Sequence, residues 1–302
     1  MNDTPVDAHK WPNRGIALGA WLDMGVDAFF ALSDRNGTRP AVDSLAWCDE
    51  ITVTSADDRA GSACAWFARL TMLGAANLVR SLAVLYAASP RHPLVRGHIP
   101  IARSIQEHLG RVLWLCTPGF VLAPDGVEVE TKDEWPTRRH RAILLCQEWA
   151  ADWRSQLLMV DPASGDLATA DEQLTRFKSL AAPGFASGMG ERPSYTEFAR
   201  IAEEWSSKLN DSAARLPHGA PYKRLAETSH GGLWGLHGDK SLTDSGGYVM
   251  VQDDKSLDAI ASTVGAWWYT TLLFLGLYHG WDVEAALQPY VETWIGLGFG
   301  AE

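Results

Sequence analysis

The chain has 302 residues, of which 46% are hydrophobic and 21% are charged, a composition typical of globular proteins. Its 26 basic and 37 acidic side chains give a formal charge of −11, which repels polyanions and makes binding to duplex nucleic acid an unfavourable role. Its 14 tryptophans each combine a large apolar area with one N–H donor, so they favour a packed core or an aromatic-lined cavity.

Apolar residues recur at helical spacing in eight or nine segments, whereas strand signals are few. The sequence therefore predicts an all-α fold, a single helical-bundle-type domain over residues 1–302, with 1–12 either part of it or disordered. Two short runs, 51–54 and 248–252, allow either a short β-hairpin near 245–252 or no sheet. The predicted helices cover residues 14–34, 56–88, 97–116, 136–160, 169–181, 194–209, 221–236, 256–279 and 282–297.

One apolar stretch, 259–278, is long enough and sufficiently uncharged to cross a membrane. Its threonines and glycines, and the lack of a basic flank, favour a buried central helix instead. The other apolar stretch, 16–32, is interrupted by two aspartates. The N-terminus lacks a basic segment followed by an apolar run, and the four cysteines show no paired spacing. We therefore expect a cytoplasmic protein with reduced thiols and no membrane span.

Two aspartates, Asp23 and Asp27, lie one helical turn apart on the same side of the first predicted helix. Like charges at this spacing repel each other, and a cation relieves the repulsion. Mg²⁺ that bridges the two carboxylates to a diphosphate is one solution, because hard divalent ions prefer oxygen ligands. The other interpretation is a solvated edge of an amphipathic helix. No motif for an organic cofactor is present, so Mg²⁺ is the cofactor that the sequence suggests.

A ladder of charged residues, Arg103, Glu107 and Arg111, has one-turn spacing, and Trp114 lies close to the same side. The opposite side of this helix is apolar and indicates the core. One interpretation is a set of surface ion pairs, each worth about 0.2–0.5 kcal/mol. The other is that Glu107, as a catalytic carboxylate, also directs the two guanidinium groups toward an anionic substrate.

Three further groups are candidates for binding a substrate. Arg138 and Arg139 belong to the densest basic cluster and lie near a predicted helix start, where the helix dipole does not favour cations. Trp149 and Trp267 are candidate walls of an aromatic cavity, since aromatic faces attract cations. A solvated basic face and core tryptophans are the alternatives.

The runs 102–115, 192–194 and 222–236 resemble a group of uncharacterised helical proteins common in actinobacteria, which is distantly similar to HEPN-like proteins. Many HEPN-like proteins are metal-independent endoribonucleases that use an arginine and a histidine a few residues apart. Two runs fit this pattern, one from Arg103 to His108 and one from Arg224 to His230. The resemblance implies catalysis by Arg224 and His230, whereas the two glycines after His230 also allow a helix end with a capping histidine.

Three functions follow from these patterns. The first is a helical enzyme that holds a small, largely apolar substrate in a tryptophan-lined cavity and binds its anionic head group, with isoprenoid diphosphate chemistry as the sharpest version. The second is the HEPN-like ribonuclease or toxin-type protein. The third is a non-catalytic helical binding protein. A homodimer is compatible with each of them.

Overall fold

The computed structural model describes residues 11–37, 39–52, 59–89, 97–117, 121–123, 126–128, 135–209, 240–242, 248–250 and 254–299. These residues form ten helices and two short antiparallel strand pairs, which confirms the all-α class. The helices are α1 (Trp11–Asn36), α2 (Leu45–Ile51), α3 (Arg59–Ser62), α4 (Cys64–Ala88), α5 (His98–Cys116), α6 (Trp135–Val160), α7 (Asp166–Ala186), α8 (Tyr195–Leu209), α9 (Asp254–His279) and α10 (Glu284–Gly296).

The strands are β1 (Val121–Ala123), β2 (Gly126–Glu128), β3 (Lys240–Leu242) and β4 (Tyr248–Met250). β1 pairs with β2 and β3 pairs with β4, so the second pair overlaps the hairpin predicted near 245–252. The predicted helix 221–236 and residues 1–10 lie outside the described residues.

Helix boundaries differ from the predictions where local capping decides them. The run 51–54, for which the sequence allowed a strand or no sheet, begins inside a helix: Ile51 ends α2, whose N-cap Ser44 accepts a 3.1 Å hydrogen bond from the Trp47 N–H. Helix α7 begins three residues earlier than predicted, after Ser164 accepts a 3.2 Å hydrogen bond from the backbone N–H of Asp166. Helix α8 begins with a capping box, whose contacts are described below.

The main core lies between helices α1, α4, α5 and α9, and α10 closes it beside α1. Trp21 of α1 is fully buried and stacks on Tyr290 of α10, with 5.0 Å between the ring centroids. Its indole N–H also donates a 3.1 Å hydrogen bond to the carbonyl oxygen of Tyr290. Gly25 and Gly265 give these rings room, because a Cβ at either position would collide with them. Trp267 is 2% exposed in this core.

A buried ion pair links three helices. The guanidinium of Arg138 on α6 donates through Nε and Nη2 to the carboxylate of Asp49 on α2, at 2.5 and 2.7 Å. The hydroxyl of Tyr278 on α9 donates to the same carboxylate at 2.8 Å. Burial of two charges is unfavourable unless hydrogen bonds compensate for the lost hydration, and these three bonds supply part of that compensation. Nη1 of Arg138 is buried and makes no hydrogen bond among the described residues. Burial also raises the pKa of the neighbouring Cys64 thiol to about 12, so this cysteine is protonated.

Three described helices are long and apolar enough to cross a membrane, judged by length and composition alone. They are the segments Arg14–Asn36 of α1, Cys64–Ala88, which is α4, and Leu257–His279 of α9. The apolar stretches noted in the sequence, 16–32 and 259–278, lie within the first and third of these segments, whereas α4 was not noted. The expectations of no membrane span and of a cytoplasmic location therefore stay predictions.

Candidate functional site

Four residues predicted to bind or convert a substrate share one half-buried face of α5. They are Arg103, Glu107, Arg111 and Trp114. Nε of Arg103 donates to the carboxylate of Glu107 at 3.0 Å, and these two side chains retain only 20% and 16% exposure. The first pair of the predicted ladder, Arg103 with Glu107, is therefore present, and neighbouring helices largely enclose it.

Arg111 and Arg192 converge on one carboxylate. Nη2 of Arg111 lies 3.3 Å from one oxygen of Glu148 on α6, and Nε of Arg192 lies 3.5 Å from the other oxygen. Both distances exceed the 2.7–2.9 Å of a strong charge-assisted hydrogen bond. Nη1 of Arg192 is buried and makes no hydrogen bond within the part of the chain that the structure describes. We call Arg111, Glu148 and Arg192 the arginine pair site; it carries two positive charges and one negative charge.

Aromatic rings flank the arginine pair site. The guanidinium carbon of Arg111 lies 5.3 Å from the ring centroid of Phe198 and 5.7 Å from that of Tyr195. Arg192 lies over the same two rings, at 5.7 and 5.5 Å. Trp114 contacts the other side of Phe198 edge-on, at 5.5 Å. Cation–π contacts at these distances hold the two like charges near each other.

The loop that carries Arg192 is fixed from helix α6. Nε2 of His140 donates to the carbonyl oxygen of Gly190 at 3.0 Å, two residues before Arg192. At the start of α8, Ser194 and Glu197 form a capping box: the Ser194 N–H donates to the Glu197 carboxylate at 2.7 Å, and the Glu197 N–H donates to the Ser194 hydroxyl at 3.3 Å. These hydrogen bonds lower the pKa of Glu197 and keep it ionised at the helix N-terminus.

Close packing of α5 on α8 sets the position of the aromatic rings. A Cβ at Gly110 would collide with the backbone of Phe198, so the two helices can approach this closely because residue 110 has no side chain. One turn earlier, the amide of Gln106 donates to the carbonyl oxygen of Ala199 at 3.0 Å and to the buried carboxylate of Glu203 at 2.8 Å. The register between the two helices is therefore fixed by polar contacts as well as by shape.

The C-terminal end of α5 is held by a basic side chain. Arg141 of α6 donates to the carbonyl oxygens of Trp114 and Thr117 at 2.7 and 2.8 Å. A cation at a helix C-terminus is stabilised by the helix dipole. This contact explains part of the basic cluster that the sequence places at the start of α6.

His108 ends one of the two arginine–histidine runs in the sequence but was not predicted as a site residue; it stands next to Glu107 on the half-exposed side of α5. The ring Nδ1 lies 2.8 Å from the carbonyl oxygen of Ser104, which accepts its hydrogen bond. This assignment places the acceptor lone pair of the neutral ring on Nε2. A histidine in this arrangement can accept a proton from a neighbouring molecule.

Glu148, Arg192, Tyr195 and Phe198 were also missed. The spacing of Glu148 and Asp152 places them on one side of α6 but gives no partner for either. Arg192 lies in the run 192–194, which the sequence analysis used only for the resemblance. A signal for the site was therefore present in the sequence, but the loop that brings it to Glu148 was not predictable from local patterns.

The predicted metal residues lie on α1 and bind an arginine. Arg80 of α4 bridges the two carboxylates, with Nε 2.9 Å from Asp23 and Nη2 2.6 Å from Asp27. Asp23, Asp27 and Arg80 are all substantially exposed. The guanidinium group of Arg80 is therefore a cation that relieves the repulsion between the two carboxylates. Among the described residues, no group of three or more His, Cys, Asp or Glu side chains is placed to hold a metal ion.

The remaining predicted residues are not part of the arginine pair site. Arg138 is buried with Asp49, and the side chain of Arg139 packs against Gly61. Trp267 belongs to the core, as described above. Trp149 is 53% exposed and stacks on Trp153, with 5.4 Å between ring centroids. Arg224 and His230 lie outside the described residues.

Comparisons with protein-family models, with curated proteins and with solved structures found no match to this chain. The resemblance to HEPN-like proteins therefore stays a prediction.

Proposed function

We propose that the protein binds a small molecule with a phosphate or carboxylate head group at the arginine pair site and acts on it as a helical enzyme. The observation that carries the proposal is the shared partner of Arg111 and Arg192. Two guanidinium groups have one carboxylate between them, at long distances, and one buried nitrogen of Arg192 has unused donor capacity. An anion that replaces or joins Glu148 would accept hydrogen bonds from both guanidinium groups in a planar, bidentate arrangement.

The apolar part of the molecule is expected to lie against Tyr195, which flanks both arginines and is 51% exposed, whereas Phe198 is fully buried beneath them. Glu107 and His108 are the neighbouring groups on α5 that can exchange a proton with it. Isoprenoid diphosphate chemistry is the sharpest version of this function. In that version Mg²⁺ is an additional prediction, assigned to Asp23 and Asp27 on α1.

The proposal is tested by calorimetric titration of the purified protein with inorganic phosphate, pyrophosphate and citrate. We expect saturable binding of at least one anion, weakened about tenfold or more by Arg192→Gln and by Arg111→Gln, since each removes a charged donor. Arg154→Gln is the matched control, because Arg154 is an exposed arginine of α6 paired with Asp171. Equal affinity in the wild type and all three variants would refute the assignment to this site.

The metal version has its own test. Mg²⁺ together with pyrophosphate should raise the melting temperature of the wild type, and Asp23→Asn should abolish the increase if the aspartate pair holds the ion. An increase that survives Asp23→Asn but is lost in Arg192→Gln would assign the diphosphate to the arginine pair site without the aspartates.

A HEPN-like ribonuclease is the second candidate, and the orientation of His108 favours it. The Nδ1 contact with Ser104 leaves Nε2 as the proton acceptor of the ring, and Nε2 lies next to Gly74 of α4. RNA cleavage that resists chelators and is lost in His108→Ala would support this function. Cleavage lost in His230→Ala, but kept in His108→Ala, would assign it to the other arginine–histidine run.

A further inference from the structure

Helix α4 exposes a stripe of residues with heptad spacing. Successive residues of the stripe are alternately four and three positions apart. All of them are exposed, whereas the opposite side of the helix is buried. This alternation is the spacing of a helix that packs against a second helix. The α4 stripe consists of Trp66, Leu70, Leu73, Asn77, Arg80 and Val84.

The apolar members of the α4 stripe are unusually large for an exposed helix face. Trp66, Leu70, Leu73 and Val84 retain 59%, 47%, 39% and 63% of their accessible area. Contiguous exposed apolar area of this kind marks an interaction surface. Asn77 and Arg80 interrupt it, which is unfavourable for contact with lipid chains and favours a protein partner.

The two ends of the α4 stripe carry opposite charge on the side that faces α1. At the C-terminal end, Asp23 and Asp27 share the single guanidinium of Arg80, which leaves one net negative charge. At the N-terminal end, Arg69 donates to the hydroxyl of Ser33 and to a backbone carbonyl oxygen, and it pairs with no described carboxylate. The stripe is therefore flanked by an acidic end and a basic end.

From this arrangement we infer that the α4 stripe binds the α4 stripe of a second copy of the chain in antiparallel orientation. A two-fold axis perpendicular to the helices, passing between Leu73 and Asn77, places Leu73 opposite Asn77 of the partner subunit and Trp66 opposite Val84 of the partner subunit. The same axis keeps the α1 sides of both copies together and brings Arg69 to the level of Asp23 of the partner subunit. Such a contact is isologous and closed, as the common dimers are.

A parallel pairing lacks this complementarity. A two-fold axis along the helices brings the α1 side of one copy against the α5 side of the other, so the acidic and basic ends on the α1 sides do not meet. Opposite charges that meet in one orientation set the register and direction of paired helices. The antiparallel orientation therefore follows from the positions of Arg69, Asp23 and Asp27.

The oligomeric state tests the inference. Sedimentation velocity over a wide range of protein concentration should show a dimer of the full chain. Leu73→Asp should raise the dimer dissociation constant by about a hundredfold or more, since it places like charges beside the axis. Met159→Asp is the control, because Met159 is 77% exposed on α6. A wild type that stays monomeric, or a Leu73→Asp protein that dimerises normally, would overturn the inference.

Crosslinking tests the orientation without a destabilising substitution in the middle of the stripe. In a Cys48→Ser background, oxidation of a mixture of Trp66→Cys and Val84→Cys proteins should give the mixed disulfide, whereas each protein alone should stay uncrosslinked. A disulfide between two Trp66→Cys chains would contradict the antiparallel arrangement. Sedimentation of the wild type with phosphatidylcholine vesicles, together with a detergent-dependent monomer, would assign the stripe to a membrane and overturn the dimer.

Discussion

Substitution of Asp49 by asparagine should destabilise the protein severely, although the two side chains have nearly the same shape. Asp49 is 1% exposed and accepts hydrogen bonds from Arg138 at 2.5 and 2.7 Å and from Tyr278 at 2.8 Å. The asparagine leaves the guanidinium of Arg138 charged, 2% exposed and without a counterion. Loss of one partner from a buried pair lowers the free energy of unfolding by about 3–5 kcal/mol. Whole domains are stable by about 5–15 kcal/mol, so this loss is large.

Urea unfolding followed by circular dichroism measures the change. The matched control is Asp171→Asn, because Arg154 and Asp171 form an exposed pair whose loss should lower the free energy of unfolding by at most about 1 kcal/mol. The triple variant Asp49→Leu, Arg138→Met and Tyr278→Phe should recover most of the stability, since it leaves neither a buried charge nor a buried hydroxyl without an acceptor. The reasoning is refuted if Asp49→Asn and Asp171→Asn have equal effects.

Three further predictions concern the core and the site. Burial, with the charge of Arg69, lowers the pKa of His279 from 6.5 to about 3. Between pH 6.5 and 3 the unfolded chain therefore binds a proton that the folded protein does not, and the free energy of unfolding should fall by up to about 1.4 kcal/mol for each pH unit. The fall should be less steep in His279→Gln. Thiol labelling of the native protein, read by mass spectrometry, should modify Cys48 first, since the other three cysteines are buried. Gly110→Ala should cost about 1–3 kcal/mol in urea unfolding and weaken anion binding, whereas Gly296→Ala, where a Cβ meets nothing, should do neither.

The long helices were predictable because their apolar periodicity is a local property. Helices α1, α4, α5, α6, α8 and α9 all follow patterns of this kind. Helix α2 was missed because its seven residues owe their place to Asp49, which is paired with Arg138, 89 positions further along the chain. A short helix that is stabilised by a distant charge leaves no periodic signal in its own sequence.

The site was predictable in its α5 half and not in the other half. The spacing of Arg103, Glu107 and Arg111 places them on one side of a helix whatever the surrounding fold. Arg192 lies 81 positions after Arg111, on a loop, and its approach to Glu148 depends on how α6, α7 and α8 pack. Local spacing gives neighbours within a helix but carries no information on which loop reaches it.

The aspartate pair shows a different limit of sequence reasoning. Repulsion between Asp23 and Asp27 correctly indicated a nearby cation, since like charges one turn apart need one. The sequence could not distinguish a metal ion from a guanidinium, because Arg80 stands 57 positions from Asp23. Electrostatics therefore predicted a cationic partner, which Arg80 supplies in this structure, and a metal ion at the aspartate pair stays a prediction.

The distribution of arginine partners gives the strongest reason to place a ligand at the arginine pair site. In a chain with 37 acidic and 26 basic side chains, carboxylates are in excess, although Arg69 pairs with none of those described and donates to Ser33 and a backbone carbonyl oxygen instead. In three other ion pairs of the described residues, the arginine has at least one carboxylate to itself at a short distance. They are Arg14 with Asp258 at 2.8 Å, Arg80 with Asp23 and Asp27 at 2.9 and 2.6 Å, and Arg138 with Asp49 at 2.5 Å. Arg111 and Arg192 instead share Glu148 at 3.3 and 3.5 Å. The two guanidinium groups repel each other, and a single carboxylate neutralises only one of their two charges. A bound anion would neutralise the other charge and remove the repulsion.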